Sequence, residues 1–251
     1  MKKILFAIVL ICLALMARCF ADDAYILNTA QKGDVAEMKI ILAQDPQNIN
    51  IKDAKGGTLL HYAAVYGQTE MADLLINKGI ALNPQDKMGN TPLHLSAMYG
   101  SPGVAELLIK AGAKLDLRNS DGDTPLHVAA GEDRMDIANL LIKAGAKLNP
   151  ANIKGITPLH YAAIFGNEDM IDLLIKSGAN INAQDDRGYT PVFDTVICSD
   201  KEALVVLINA GADLNLKDNS GITALDRAYQ KQNPDKDIIN LLVKSGAKSG
   251  K

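Results

Sequence analysis

Apolar residues return along this chain in two short clusters per period, and the period is 33 residues. The first cluster is a Leu followed by an Ala-Ala pair, as in Leu59, Ala63 and Ala64, or Leu159, Ala162 and Ala163. The second has helical spacing: Met71, Leu74 and Leu75; Val104, Leu107 and Leu108; Ile137, Leu140 and Leu141. Steps of three and four residues place such a cluster on one helix face. Each period therefore predicts a short inner helix, thin enough for its neighbours to approach closely, and then a second, amphipathic helix.

Polar residues punctuate this pattern. Threonines stand at 58, 91, 124, 157, 190 and 223, each just ahead of an inner helix. A Thr hydroxyl is a good N-cap, and Pro92, Pro125, Pro158 and Pro191 then suit a first helical turn whose N–H has no partner. Gly67, Gly100 and Gly166 end the inner helix, while Asp133 holds that place in one unit and predicts an altered turn there. Lys78, Lys110, Lys143 and Lys176 fall in the last turn of the outer helix, favourable to its negative end. Gly79, Gly112, Gly145, Gly178 and Gly211 close that helix. An Asp or Asn and then a Gly precede each Thr, which reads as a projecting loop.

Six returns of one motif establish a repeat array. The fullest copies are Thr91-Pro92-Leu93-His94, Thr124-Pro125-Leu126-His127 and Thr157-Pro158-Leu159-His160, with Thr58-Leu59-Leu60-His61 ahead of them. Thr190-Pro191-Val192-Phe193 and Thr223-Ala224-Leu225-Asp226 are decayed copies. Together with the Ala-Ala, Leu-Leu and Gly-Ala pairs, this pattern is similar to the ankyrin repeat over nearly all of 24–248. The resemblance implies an all-α ankyrin-repeat solenoid of about seven helix-turn-helix units with projecting β-hairpin-like loops, cohering by nearest-neighbour burial. The domain is expected to span 22–251: an amino-terminal cap at 22–57, repeats starting at 58, 91, 124, 157 and 190, and a carboxy-terminal cap at 223–248. Lys231 to Asp235 reads as an insertion within that last cap.

The amino end has a different pattern. Lys2 and Lys3 precede an unbroken apolar run from Ile4 to Ala17, and Cys19-Phe20-Ala21 supplies small residues for cleavage before Asp22. Such a run is too short to span a bilayer comfortably and has the size of a signal-peptide core, so 1–21 is expected to be a cleavable export signal. Arg18 beside Cys19 argues against a lipid anchor at that cysteine. The chain carries a net charge of −3, and removing Lys2, Lys3 and Arg18 takes it to −6. An acidic domain without a basic block is a poor binder of nucleic acid or of an anionic membrane. Cys12 and Cys19 leave with the signal, so Cys198 is expected to stand alone, packed as a small hydrophobe or, alternatively, reachable as a free thiol.

Candidate chemistry is sparse. His61, His94, His127 and His160 are the chain's four histidines, and all occupy one motif position. One imidazole per layer leaves roughly 10 Å between neighbours, too far for a single tetrahedral zinc. The resemblance implies instead that each bonds backbone or Thr at the base of the loops. No phosphate-cradling loop, nucleophile elbow or cysteine pair occurs, so neither enzyme activity, cofactor nor metal is expected. Family resemblance places partner contacts on loop tips and at the seventh and eighth residues after each Thr. Those positions hold Tyr66, Met98, Tyr99, Ile164 and Phe165, with Met88, Ile153, Arg187 and Tyr189 at the tips. Aromatics and Met among charges suit a protein interface. Asp121, Asp123, Glu132 and Asp133 are expected to divide this stripe into two patches. The expected role is a monomeric, non-catalytic protein-binding scaffold in a bacterial periplasm. The alternatives are an inhibitor or immunity-like protein that occludes a periplasmic enzyme, an accessory to a catalase under oxidative stress, and a secreted effector that binds host proteins.

Overall fold

The computed structural model describes residues 23–250, so the segment read as an export signal lies outside the described residues. The chain divides between Ala113 and Lys114 into two compact units. In the first, inner helices α1 (Asp23–Lys32), α3 (Leu59–Val65) and α5 (Pro92–Tyr99) alternate with outer helices α2 (Val35–Gln44), α4 (Thr69–Asn77) and α6 (Pro102–Lys110). A 3-10 turn at Pro46–Asn50 follows α2. In the second, inner helices α7 (Pro125–Gly131), α9 (Pro158–Ile164), α11 (Pro191–Cys198) and α13 (Ala224–Gln230) alternate with outer helices α8 (Met135–Lys143), α10 (Glu168–Lys176), α12 (Lys201–Asn209) and α14 (Lys236–Lys244). Within each unit, an inner helix packs against the inner helix of the next repeat and against its own outer helix.

The core follows the two apolar clusters. Leu59, Ala63, Ala64, Met71, Ala72 and Leu75 are fully buried in one repeat, as are Leu159, Ala162, Ala163, Met170, Ile171 and Leu174 in another. Each buried Leu, Ile or Met contributes roughly 1.5–3 kcal/mol relative to exposure. The alanines contribute little area but set the close spacing of the inner helices.

Polar atoms tie one repeat to the next. The Thr58 N–H donates to His61 Nδ1 at 3.0 Å, and the His61 Nε2–H donates to the Asn90 carbonyl at 3.0 Å. His127 takes the Thr124 N–H and reaches the Ile156 carbonyl, and His160 takes the Thr157 N–H and reaches the Tyr189 carbonyl. Accepting on Nδ1 and donating from Nε2 requires a neutral ring. Burial lowers the basicity of His61 and His160, and that of His127 to about 4, chiefly because a charged imidazolium would lose its hydration. A second tie comes from the start of the outer helix. The Gln68 amide donates to the Gln31 carbonyl, the Ser101 hydroxyl to Ala64, and the Asn167 amide to Ala130. Each satisfies a carbonyl that the preceding inner helix leaves open at its end.

The loops are pinned by one carboxylate or amide each. Asp53 Oδ1 accepts from the N–H groups of Lys55 and Gly57, and Asp86 Oδ1 from those of Met88 and Asn90. Asn119, Asn152, Asp185 and Asp218 repeat this pattern with their own second and fourth following residues. The loops are turns rather than ladders: among the described residues the pairing amounts to isolated bridges, Lys52 with Thr58 and Lys217 with Thr223. Consecutive loops touch through single backbone bonds, such as Lys87 N–H to the Lys55 carbonyl and Asp186 N–H to the Lys154 carbonyl. Gly155 shows how close that approach is. Its φ is +76°, and a Cβ there would stand 2.6 Å from the Asp186 nitrogen.

The altered turn expected at Asp133 is not found. Asp133 takes φ +52°, in the same left-handed region as Gly67 at +65° and Gly166 at +69°. Ser199 does likewise at +60° in the repeat that starts at Thr190. Asp and Ser bear the steric cost there, and the helix still ends in the same way.

Replacing His127 by Ala removes a bridge between two buried polar layers, takes the acceptor from the Thr124 N–H and leaves the Ile156 carbonyl with only the Asn152 N–H. Urea unfolding at pH 7 is expected to show a loss of about 2–3 kcal/mol, with the fold retained by circular dichroism.

Candidate functional site

In the unit spanning residues 23–113, α3 and α5 present a row of side chains on the face opposite α4 and α6. Tyr62, Val65 and Tyr66 stand on or just after α3, and Leu95, Met98 and Tyr99 on α5. The loop residues Lys55, Asp86 and Met88 complete the lining of a cavity of about 370 Å³. Tyr66 is 49 % exposed, Tyr99 53 % and Met88 65 %, while Met98 is half-buried. The rings of Tyr62 and Tyr66 stack at 6.5 Å, one helical turn apart. The Tyr62 hydroxyl donates to Asp53 Oδ2 at 3.0 Å, which anchors the inner end of that stack to the loop. Large apolar side chains held in a polar rim are suited to receiving an apolar side chain of a partner.

The unit beginning at Lys114 carries a similar row with different chemistry. Phe165 and Ile153 are exposed, and Ile164 is half-buried beside them. Phe165 stacks on Tyr161 at 6.2 Å, and the Tyr161 hydroxyl donates to Asp123 Oδ2 at 3.2 Å. Burial and the adjacent Asp123 push the Tyr161 phenol up to about 12, so it stays a donor. Asp123 is therefore buried behind the row, at 8 % exposure, rather than part of an acidic surface as its sequence neighbours suggest. Asp121, Glu132 and Asp133 are exposed.

Arg187 and Tyr189 form one packed group. Tyr189 stacks flat on Phe193, with centroids 5.1 Å apart, and the Arg187 guanidinium lies 4.4 Å from the Tyr189 ring centre. Arg187 also pairs with Asp185 at 2.7 Å. From the other side Arg227 approaches the same ring at 5.3 Å and pairs with Asp218 at 2.7 Å. Arg187 still exposes over half of its side chain, whereas Tyr189 is half-buried and serves the scaffold through its carbonyl as well.

Cys198 departs from the packed hydrophobe that was one expectation for it: it is exposed and unpaired as a disulfide. It lies eight residues after Thr190, at the place of Tyr66, Tyr99 and Phe165, and that place faces solvent in each repeat. Burial of its sulfur and the neighbouring Asp194 raise its thiol pKa, so it is a weak nucleophile despite its access.

The residues that the motif positions did not single out are those four after each Thr. Tyr62, Leu95, Tyr161, Asp194 and Arg227 occupy this place and differ in kind from repeat to repeat. That variety was a readable signal, because a scaffold position would hold one chemistry. Ile197 and Tyr229 are also exposed on the inner helices.

Asp194 is the most unusual of these. It is 4 % exposed, and its Oδ2 has no hydrogen-bond partner among the described residues. Thr190 Oγ1 is likewise unpartnered, because Phe193 stands where a histidine would have bonded it. Burial, and then repulsion from Asp185, push the Asp194 carboxyl up to about 8, against the pull of Arg187. A folded-state pKa above the unfolded one contributes stability that is present at low pH and lost as pH rises through the folded value. Wild type is therefore expected to lose about 2 kcal/mol between pH 6 and pH 9 in urea unfolding. Asp194→Asn, which cannot ionise, is expected to remove most of that loss.

Among the described residues no group of His, Cys, Asp and Glu is arranged to hold a metal. No described helix is long and apolar enough to cross a membrane. A search of curated proteins found no match. The family model described as ankyrin repeats (3 copies) matches residues 26–119, 110–185 and 173–251. With the helix pairs, pinned loops and histidine bridges in place along that length, the chain belongs to the ankyrin-repeat family.

Proposed function

We propose that this ankyrin-repeat chain is a non-catalytic scaffold that binds another protein in a bacterial periplasm. The observation that carries the reading is the cavity lined by Tyr66, Met88, Met98 and Tyr99. The scaffold spends its interior polar groups on loops and helix ends, yet it leaves these large apolar side chains in water, and an unshielded aromatic cluster of this kind marks an interface. Ile153, Ile164 and Phe165 offer a second set of anchors in the unit beginning at Lys114, with Arg187 and Tyr189 beside them. Export is supported by the lysine pair, the apolar run from Ile4 to Ala17 and the small residues before Asp22. The engagement of His61, His127 and His160 in the scaffold supports the non-catalytic reading.

The test is a pull-down from periplasmic extract with wild type and with Tyr66, Tyr99 and Phe165 all changed to Ala. The triple variant is expected to keep its circular dichroism spectrum and to lose the captured partner by at least about tenfold, since truncating each anchor costs roughly 1–2 kcal/mol. Equal capture by both proteins would sink the proposed surface. Edman sequencing of the exported protein is expected to begin at Asp22.

A further inference from the structure

We propose that the exported chain binds a second copy of itself head to tail, the far side of its last helix pair, α13 and α14, closing on the near side of the first pair, α1 and α2, of the next copy. This goes beyond the groove and takes the place of the monomer expected from the sequence. Among the described residues, the exposed large apolar side chains outside the groove and the row of Ile153, Phe165 and Ile197 are Tyr25, Ile40, Tyr229 and Val243. Two belong to the first helix pair and two to the last.

The far side of the last pair carries the chemistry of an inner joint. Ala64, Ala130, Ala163 and Val196 stand six residues after their threonines, and all are buried where the next inner helix packs. Tyr229 holds that place after Thr223 and is exposed. Ala72, Ile171 and Leu204 stand seven residues before the glycine that closes their outer helix and are fully buried. Ile239 holds that place before Gly246 and is only half-buried. Val243, three before Gly246, corresponds to Ile175, which lines one hollow with Val206 of the next outer helix. The residues after α14 turn towards the loops, where Ser249 and Gly250 bond to Asp226, and leave Tyr229 and Val243 in water.

The near side of the first pair is the matching surface. Tyr25, eight residues before Gly33, holds the place of Leu59 and Pro158, which are buried against the preceding inner helix. Ile40, seven after Gly33, holds the place of Val206, seven after Ser199. Val243 of one copy therefore meets Ile40 of the next as Ile175 meets Val206, and Tyr229 faces Tyr25. A charge pair repeats as well. Lys201 on α12 binds Asp237 on α14 at 3.2 Å. Lys236 stands ten before Gly246, as Lys201 stands ten before Gly211. Glu37, which accepts the Tyr25 hydroxyl at 2.9 Å, lies within one residue of the place that Asp237 takes. Inside each unit a far side always meets a near side and never its like, so the partner that fits this surface is a near side of the same kind. Tyr229 and Tyr25 are bulkier than the alanines and prolines they replace, so the joint is wider than an inner one and closes only at high protein concentration.

The experiment is sedimentation of the exported protein from ~5 to ~500 µM, where the mass is expected to rise with concentration. Ile40→Asp closes the near side and Val243→Asp the far side. Both change exposed side chains, and thermal melts establish that the fold is kept. Each variant alone is expected to lose at least about tenfold in affinity and to stay at monomer mass. Mixed in equal amounts, they are expected to form a one-to-one pair and nothing larger, because one keeps an open far side and the other an open near side. Wild type at monomer mass to the top of that range would overturn the joint. So would a mixture that stays monomeric, or either variant alone associating as wild type does, which is the outcome if like faces meet. Tyr66 and Tyr99 take no part in this joint, so its failure leaves the groove standing.

Discussion

A neutral imidazole held between a threonine N–H and the next repeat's loop is the interaction on which the rest of this structure depends. It joins three things at once: the start of an inner helix, the base of its own loop and the carbonyl of the loop that follows. Without it each of these repeats would bury a Thr N–H with no acceptor, at about 1–3 kcal/mol, and the next loop's carbonyl would keep only the backbone N–H of its own loop. The interaction is local to neighbouring repeats, which is how a chain built from 33-residue units stabilises itself without a central core. The two decayed motifs show what substitution does. Asp226 takes the histidine's place by accepting the Thr223 N–H and hydroxyl, and it turns its other bonds to Ser249 and Gly250. Burial alone would raise this carboxyl, but the bonds from Ser249, Thr223 and Gly250 hold it well below the usual range. Phe193 cannot accept or donate, so an aromatic stack with Tyr189 replaces the bridge and Thr190 Oγ1 is left unpartnered.

With the helix start fixed, the direction of every inner-helix side chain follows from the helical repeat. Residues two, five and six after Thr fall into the core, as Leu60, Ala63 and Ala64 do. Residues seven and eight emerge on the open face, as Val65 and Tyr66 do, and the fourth lies at its edge, half-buried in Tyr62 and buried in Leu95 and Asp194. The scaffold constrains the first set tightly and the second hardly at all. Recognition is therefore written at positions where the period carries no information, and that is why Tyr66, Glu132, Phe165 and Cys198 can occupy one place in four repeats.

This division also explains what could be read from the amino acids. Helix starts at Thr58, Thr91, Thr124 and Thr157, the glycine stops and the pinned loops are properties of single repeats, and local chemistry makes them legible. The one-per-period spacing of the histidines spoke against a shared metal, and their structural role was what the ankyrin resemblance implied. Features that depend on a neighbour were not. Gln68, Ser101 and Asn167 look like ordinary helix-start residues, yet each closes the end of the preceding repeat's inner helix. Asp123 reads as a surface acid beside Asp121, and only the position of Tyr161 in the next repeat shows it to be a buried acceptor. Cys198 reads as a core residue by type, and its place on the open face decides otherwise. The groove was legible as a row of residues but not as a cavity, because Tyr62 and Leu95, four residues after their threonines, lie outside the positions that family resemblance singles out.

The central claim, that neutral histidines bridge the repeats, can be tested most directly by nitrogen NMR of imidazole-labelled protein. The account predicts that the rings of His61, His127 and His160 carry the proton on Nε2, with that proton protected from exchange, and that His127 stays neutral from pH 7 down to about pH 5. A His127 ring that titrates near pH 6.5, or one that carries its proton on Nδ1, would contradict it.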